Sequence, residues 1–195
     1  MFKGTAVFKV KRRTVVTTAA AVFVLLVVAL VVTVVTQGKG DASGNMVAYP
    51  VGQRPAAPEF TATSLTGAPI NFASYRGKVV VLNVWGSWCP PCRGEGQTLK
   101  YLDEQYGPQG VAFLGDDIED TPTDALAFLR GEGITYPSVS DSNEAVELRL
   151  SLAVPIAATP TTLVIDKTGH IAGQIDGAVT YPEVTTLLDD AGVTQ

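Results

Sequence analysis

An almost unbroken apolar run, VVVLNVW (Val79 to Trp85), leads through Gly86 and Ser87 straight into WCPPC, which holds both cysteines of the chain, Cys89 and Cys92. The run is rich in β-branched residues and shows no polar alternation, the pattern of a strand covered on both faces. Behind the cysteines, Leu99 and Leu102 with Tyr101 and Tyr106 fit a helix over Pro90 to Tyr106, which Gly107 and Pro108 end. A buried strand that turns into a helix at a cysteine pair calls for a layered α/β fold, and it places Cys89 at a helix N-terminus.

The flanking segments agree with that layering. In PEFTATSLTGAPINFASYRGK, the alternating runs FTAT and PINFASY around SLTGA predict an antiparallel hairpin. VAFLGDDI (Val111 to Ile118) reads as a second buried strand. A helix follows it, with Thr121 as cap, Pro122 at its first position, Asp124 in its first turn, and Gly131 and Gly133 closing it. TYPSVS is a short strand and Ser142 to Leu152 a short helix. TTLVIDKTGHIAGQIDG reads as two strands joined by a D-K-T-G turn. A last helix starts near Thr180-Tyr181-Pro182 and runs to Asp190. The order predicts an α/β sandwich with helices on both faces of one sheet.

The N-terminal part is of another kind. Residues 1–13 carry five cations and no acid, and Val15 to Val35 is a charge-free apolar run of 21 residues. At about 1.5 Å per residue such a helix spans roughly the 30 Å hydrocarbon core. The expected organisation is a cytoplasmic basic segment (1–13), a transmembrane anchor (14–36), a flexible Gly- and Pro-rich linker (37–56) and a globular domain (57–195). A cleaved signal peptide is the competing reading, but its apolar core is typically about 7 to 15 residues and ends at a small-residue cleavage site, which QGKGDASGN lacks. The positive-inside rule keeps the basic segment in the cytoplasm and puts the domain on the extracytoplasmic side of the cell membrane, as a single-pass protein. From Asp41 onward 8 Lys and Arg face 19 Asp and Glu, a net charge of −11. Such a domain repels nucleic acid and takes proteins or small molecules as partners.

Three roles compete for the cysteines. A structural staple gains little, because the disulfide would close a loop of only two residues. A metal site lacks ligands: structural zinc takes four and catalytic zinc usually three, whereas the chain has one C-x-x-C and one histidine, His170, in a predicted turn. A redox pair has a mechanism. At a helix N-terminus the unpaired N–H groups and the dipole favour a thiolate at Cys89, which attacks a partner disulfide. Cys92, one turn in and expected to be the more buried, then resolves the mixed disulfide. No cofactor and no metal is expected.

With these residues on the page, the domain resembles the thioredoxin-like fold, in the TlpA/ResA-type branch of extracytoplasmic thiol-disulfide oxidoreductases. VVVLNVWGSWCPPCR is similar to that branch's active-site strand and motif. GVAFLGDDIEDTPTDALAFLRGEGITYPSVSD resembles its longer central segment, and TPTTLVIDKTGHI the strand that opens with a cis proline. The resemblance implies a central mixed sheet flanked by helices, with an N-terminal β-hairpin extension and a central insertion, preceded here by the transmembrane helix. It also implies that Thr159-Pro160 is a cis bond beside Cys89, where an added client strand could pair. Trp88 and Pro90 would share in partner binding. Asn83 stands where cytosolic thioredoxins carry a buried aspartate, and Glu95, three residues after Cys92, takes over as the proton shuttle. Gln97 departs from the branch, where a proline commonly kinks the helix. Arg93 is expected to be a solvated first-turn residue.

The leading expectation is a membrane-anchored reductase of exported protein disulfides. Its client would be apocytochrome c during cytochrome c maturation, and its electrons would come from a membrane thiol carrier. An oxidant that introduces disulfides uses the same residues. A thiol peroxidase of the peroxiredoxin type needs a threonine three residues before the reactive cysteine, where this chain has Gly86.

Overall fold

The computed structural model describes residues 45–193. The basic segment, the apolar span and residues 37–44 of the expected linker lie outside the described residues. The strands are β1 (Asn45–Ala48), β2 (Thr61–Thr63), β3 (Pro69–Asn71), β4 (Val80–Trp85), β5 (Ala112–Ile118), β6 (Ser138–Asp141), β7 (Thr161–Ile165) and β8 (Ile171–Asp176). The α-helices are α1 (Pro90–Tyr106), α2 (Pro122–Glu132), α3 (Ala145–Ser151) and α4 (Tyr181–Asp190).

β4 is buried at every position because it lies in the middle of the main sheet, whose order is β1-β8-β7-β4-β5-β6. It runs parallel to β5 and antiparallel to β7, so the sheet is mixed as the resemblance implies. Alternation along β4 divides the core. Val80, Leu82 and Val84 face the β2–β3 hairpin and α3, among Phe60, Ile70, Phe72, Val146 and Leu150. Val79 and Val81 face the other way, onto Leu99, Leu102 and Tyr106 of α1 and Val184, Leu187 and Leu188 of α4. Trp85 continues this second face and packs against Phe128 of α2, ring centroids 5.0 Å apart. α2 keeps its expected bounds for local reasons. Thr121 accepts the Asp124 N–H, Pro122 needs no acceptor, and Gly133 closes the helix at φ 69°, a left-handed conformation that glycine adopts without a Cβ clash.

Three segments differ from expectation. The linker expected to extend to Ala56 is ordered from Asn45: β1 pairs antiparallel with β8, from Asn45 opposite Asp176 to Ala48 opposite Gly173. Without β1, that side of β8 would be an open edge with unpaired backbone groups. The FASY end of the expected strand is a 3₁₀ turn, because Asn71 Oδ1 caps it through the Ala73 N–H at 3.1 Å. α3 starts at Ala145 and not at Ser142, because the Asp141 carboxylate takes the N–H groups of Ala145, Val146 and Glu147.

Candidate active site

Four residues separate the end of β4 from the start of α1, and the last of them, Cys89, caps the helix. Pro90 and Pro91 fill the first helical positions, so the Cys92 N–H is the first donor the helix offers, and it points at Cys89 Sγ from 3.2 Å. A thiolate at Cys89 would keep this hydrogen bond and meet the positive end of the dipole, both of which lower a thiol pKa. Here the two cysteines are joined in a disulfide.

Cys92 is not the more buried of the two: Cys89 is 1% exposed and Cys92 2%. Leu65, Trp85, Ala125 and Leu129 pack around both, and the Thr159 carbonyl oxygen lies 3.6 Å from Cys89 Sγ. In the disulfide this is a contact only, since the sulfur has no proton; in the dithiol the S–H has that carbonyl as an acceptor. Thr159-Pro160 is cis. β7 starts at Thr161 opposite Val84, and this register sets the Thr159 backbone beside the cysteine.

Glu95 shares the buried stripe of α1 with Cys92, Leu99, Leu102 and Tyr106 and is 1% exposed. Its Oε1 accepts Asn83 Nδ2 at 2.9 Å, and its Oε2 accepts the Val179 N–H at 2.7 Å. Asn83 also donates to Thr162 Oγ1 at 3.0 Å. Burial disfavours the charged form and pushes the carboxyl up to about 7, while the two hydrogen bonds hold it from rising further. Near neutral pH the group can therefore take or give a proton. α1 runs unbroken through Gln97, whose Nε2 donates to the Glu132 carbonyl and carboxylate at 2.9 and 2.8 Å and ties α1 to the end of α2.

Trp88 and Pro90 lie on the exposed rim above the disulfide, Trp88 with 48% of its surface open. Trp88 also forms one wall of a cleft of about 440 Å³, lined with Arg93, Asp124, Phe128 and Glu132. Arg93 is not simply solvated. Its Nε and Nη2 donate to the Ser87 carbonyl at 3.1 and 2.9 Å.

Two acids absent from the expected site also stand here. Asp120 Oδ2 accepts the Ser87 N–H at 2.7 Å. Asp117, 1% exposed, stands near Asp120; burial first, then the Asp120 charge, push its carboxyl up to about 8. The parallel pairing of β4 with β5, Trp85 opposite Asp117, brings them to the cysteine loop. The sequence signal is the GDDIED run at the end of a strand that pairs with the active-site strand. Among the described residues no three His, Cys, Asp or Glu side chains are grouped so as to hold a metal ion.

The site thus joins a disulfide at a helix N-terminus, a buried carboxyl with a pKa near neutrality, a backbone edge and an exposed indole. The model of the AhpC/TSA family matches residues 53–174. The thiol-disulfide oxidoreductase ResA of Geobacillus kaustophilus is 34% identical over 133 residues, 68% of this chain and 74% of that protein. ResA of Bacillus subtilis is 27% identical over 124 residues, 64% and 67% of the two chains. Among solved structures, a DsbF homologue from Corynebacterium diphtheriae is 32% identical with a TM-score of 0.69, covering 77% of this chain and 94% of its own. A secreted thiol-disulfide isomerase from Corynebacterium glutamicum is 30% identical with a TM-score of 0.70, covering 80% and 95%.

Proposed function

We propose, on the premise that the chain belongs to the AhpC/TSA family and is a ResA-type thiol-disulfide oxidoreductase, that it is held in the cell membrane by residues 14–36 and reduces disulfides of exported proteins. In this reading the Cys89 thiolate attacks a client disulfide; one client sulfur leaves and takes up a proton, and a mixed disulfide forms. Cys92 gives its proton to the Glu95 carboxylate and attacks Cys89 Sγ, releasing the second client sulfur, which is protonated in turn. The client gains two electrons and two protons, and Cys89 and Cys92 are left as the disulfide. A dithiol carrier in the membrane then restores the pair.

The acidic surroundings of the pair support the reductive direction. Glu95 lies buried behind the disulfide, Asp117 and Asp120 flank its loop, and the Arg93 guanidinium is turned to the Ser87 carbonyl. The ionised fraction of these carboxyls disfavours a nearby thiolate, the neutral fraction does not stabilise one, and a pair whose reduced form is not stabilised is a reductant. The helix N-terminus opposes this by favouring the Cys89 thiolate. Apocytochrome c as the client rests on the resemblance to ResA alone.

The reduction potential of the Cys89/Cys92 pair, measured on the full-length chain by equilibration with a thiol buffer, tests the direction. A value near the roughly −270 mV of thioredoxin is expected, and one near the roughly −120 mV of a strong oxidant would make the protein a disulfide donor. That second reading draws on the likeness to a secreted thiol-disulfide isomerase. A peroxidase is disfavoured at Gly86: a Cβ there would lie 2.5 Å from Trp88 Nε1, so a threonine cannot enter without moving the indole.

A further inference from the structure

Trp88 is an exposed aromatic residue with little freedom. Its Nε1 donates to the Ile118 carbonyl at 3.2 Å, and its ring lies so close over Gly86 that no side chain fits beneath it. The peptide preceding it is held from both sides: the Ser87 N–H by Asp120 Oδ2 at 2.7 Å, and the Ser87 carbonyl by two Arg93 donors. Ile118 ends β5 and Asp120 lies in the turn that leads to α2, and Glu119 between them has φ 48°, the left-handed conformation that non-glycine residues avoid. A conformation of this kind persists only where its surroundings enforce it, and such positions cluster at functional sites. Here it turns the chain so that the Ile118 carbonyl meets the indole and the Asp120 carboxylate meets the peptide behind it. The second Asp120 oxygen accepts the Thr121 N–H at 2.7 Å, and the buried Asp117 carboxyl stands near Asp120.

We propose that Asp120 is a positioning residue for thiol exchange: by holding the Ser87 peptide it fixes Trp88 as a rigid docking wall for polypeptide clients beside Cys89. The inference rests on the thiol-disulfide reading and deepens it. A side chain ordered during folding loses no further freedom when a client lands on it, so pre-ordering an exposed indole favours affinity. A small disulfide has no chain to lay against the wall and gains nothing from it.

The test uses the full-length chain, reduced with dithiothreitol and assayed with insulin as a disulfide-bonded polypeptide and with 5,5′-dithiobis(2-nitrobenzoate) as a small disulfide. Asp120→Ala is expected to raise KM for insulin about ten-fold, while its kcat and small-disulfide rate match those of Asp120→Asn within about two-fold, since both variants remove the same charge near Cys89. Asp120→Asn, which keeps an acceptor for the Ser87 N–H, restores most of the KM. Arg93→Met, which frees the other side of the same peptide, reproduces the loss. In a Trp88→Ala background Asp120→Ala adds nothing. An equal loss on both disulfides, full additivity with Trp88→Ala, or an unchanged KM overturns the proposal. If the unaltered chain exchanges with neither disulfide, the thiol-disulfide reading itself fails, an outcome distinct from an active chain insensitive to Asp120.

Discussion

Asn83 on β4 donates its amide to Glu95 on α1 at 2.9 Å, so a strand residue helps set the proton affinity of a helix residue next to the disulfide. The position three residues after Cys92 supplies the carboxyl, and its burial supplies the raised pKa.

Glu95→Gln keeps the shape and removes the titration. The resolving step needs the Glu95 carboxylate, so its rate is expected to rise with pH through about 7. In stopped-flow measurements of mixed-disulfide decay, the variant should lose that step and run at least about ten-fold slower above it. Asn83→Ala removes a hydrogen bond that favours the charged form and should move the step to higher pH. A variant with the normal profile would exclude Glu95 as the shuttle.

Stability should fall as pH rises through neutrality. The folded pKa values of Glu95 and Asp117, about 7 and about 8, lie above an ordinary carboxyl's, so the folded state keeps protons that the unfolded chain releases. Their stabilisation is complete below about pH 4 and is lost as pH rises through about 7 and about 8. At about 1.4 kcal/mol per pKa unit, Glu95 alone accounts for something on the order of 3 kcal/mol. Urea unfolding at acid, neutral and alkaline pH measures the slope, which Glu95→Gln should flatten; an equal slope in both proteins would refute the assignment. Asp116, buried and without a hydrogen-bond partner among the described residues, is also raised, by burial first and then by Asp141, Glu147 and Asp117, and it adds to the same trend.

Asp166 titrates in the opposite sense. Burial alone would raise it, but the Thr168 hydroxyl, Arg54 and the N–H groups of His170 and Thr168 outweigh that and lower it to about 2. Its contribution is present above about pH 4 and lost as pH falls toward 2. Arg54, at 2.9 Å from Asp166, also donates to the Asp190 carbonyl at 2.7 Å and so ties the segment after β1 to the β7–β8 turn and the end of α4. Arg54→Ala should cost roughly 3 kcal/mol in urea unfolding, because it leaves a largely buried carboxylate unpaired. A change below about 0.5 kcal/mol would mark the pair as energetically idle.

The two cysteines should separate cleanly by substitution. Cys89→Ser abolishes exchange, because the attacking thiolate is gone. Cys92→Ser permits attack but not resolution, so a mixed disulfide with the client accumulates and is seen by mass spectrometry under non-reducing conditions. Accumulation in Cys89→Ser instead would reverse the two roles.

The strand over Val79 to Trp85, the helix over Pro90 to Tyr106 and the capped α2 are all legible in the sequence, because their signals lie within a few residues of one another. Glu95 is legible through the resemblance to the TlpA/ResA branch, by its place three residues after Cys92; that it shares the buried stripe of α1 comes from the structure. β1 is not: its four residues are all exposed and show no alternation, and its only reason to be a strand is the open side of β8, far along the chain. Arg93 reads as a solvated residue because nothing near it in sequence reveals that the Ser87 carbonyl curls back to meet it.

By itself, the sequence determined where β4, α1 and α2 lie, which residues are apolar, and that a cysteine pair stands at a strand-to-helix junction. These depend on local backbone preferences and capping. Only the tertiary structure decided which groups meet there. Val179 reaches Glu95 across 84 positions, Thr159 reaches Cys89 across 70, and Asp120 reaches Ser87 across 33. The physical reason is that strand register and burial belong to the assembled sheet, and a carboxyl's proton affinity follows the dielectric and donors that distant segments bring to it.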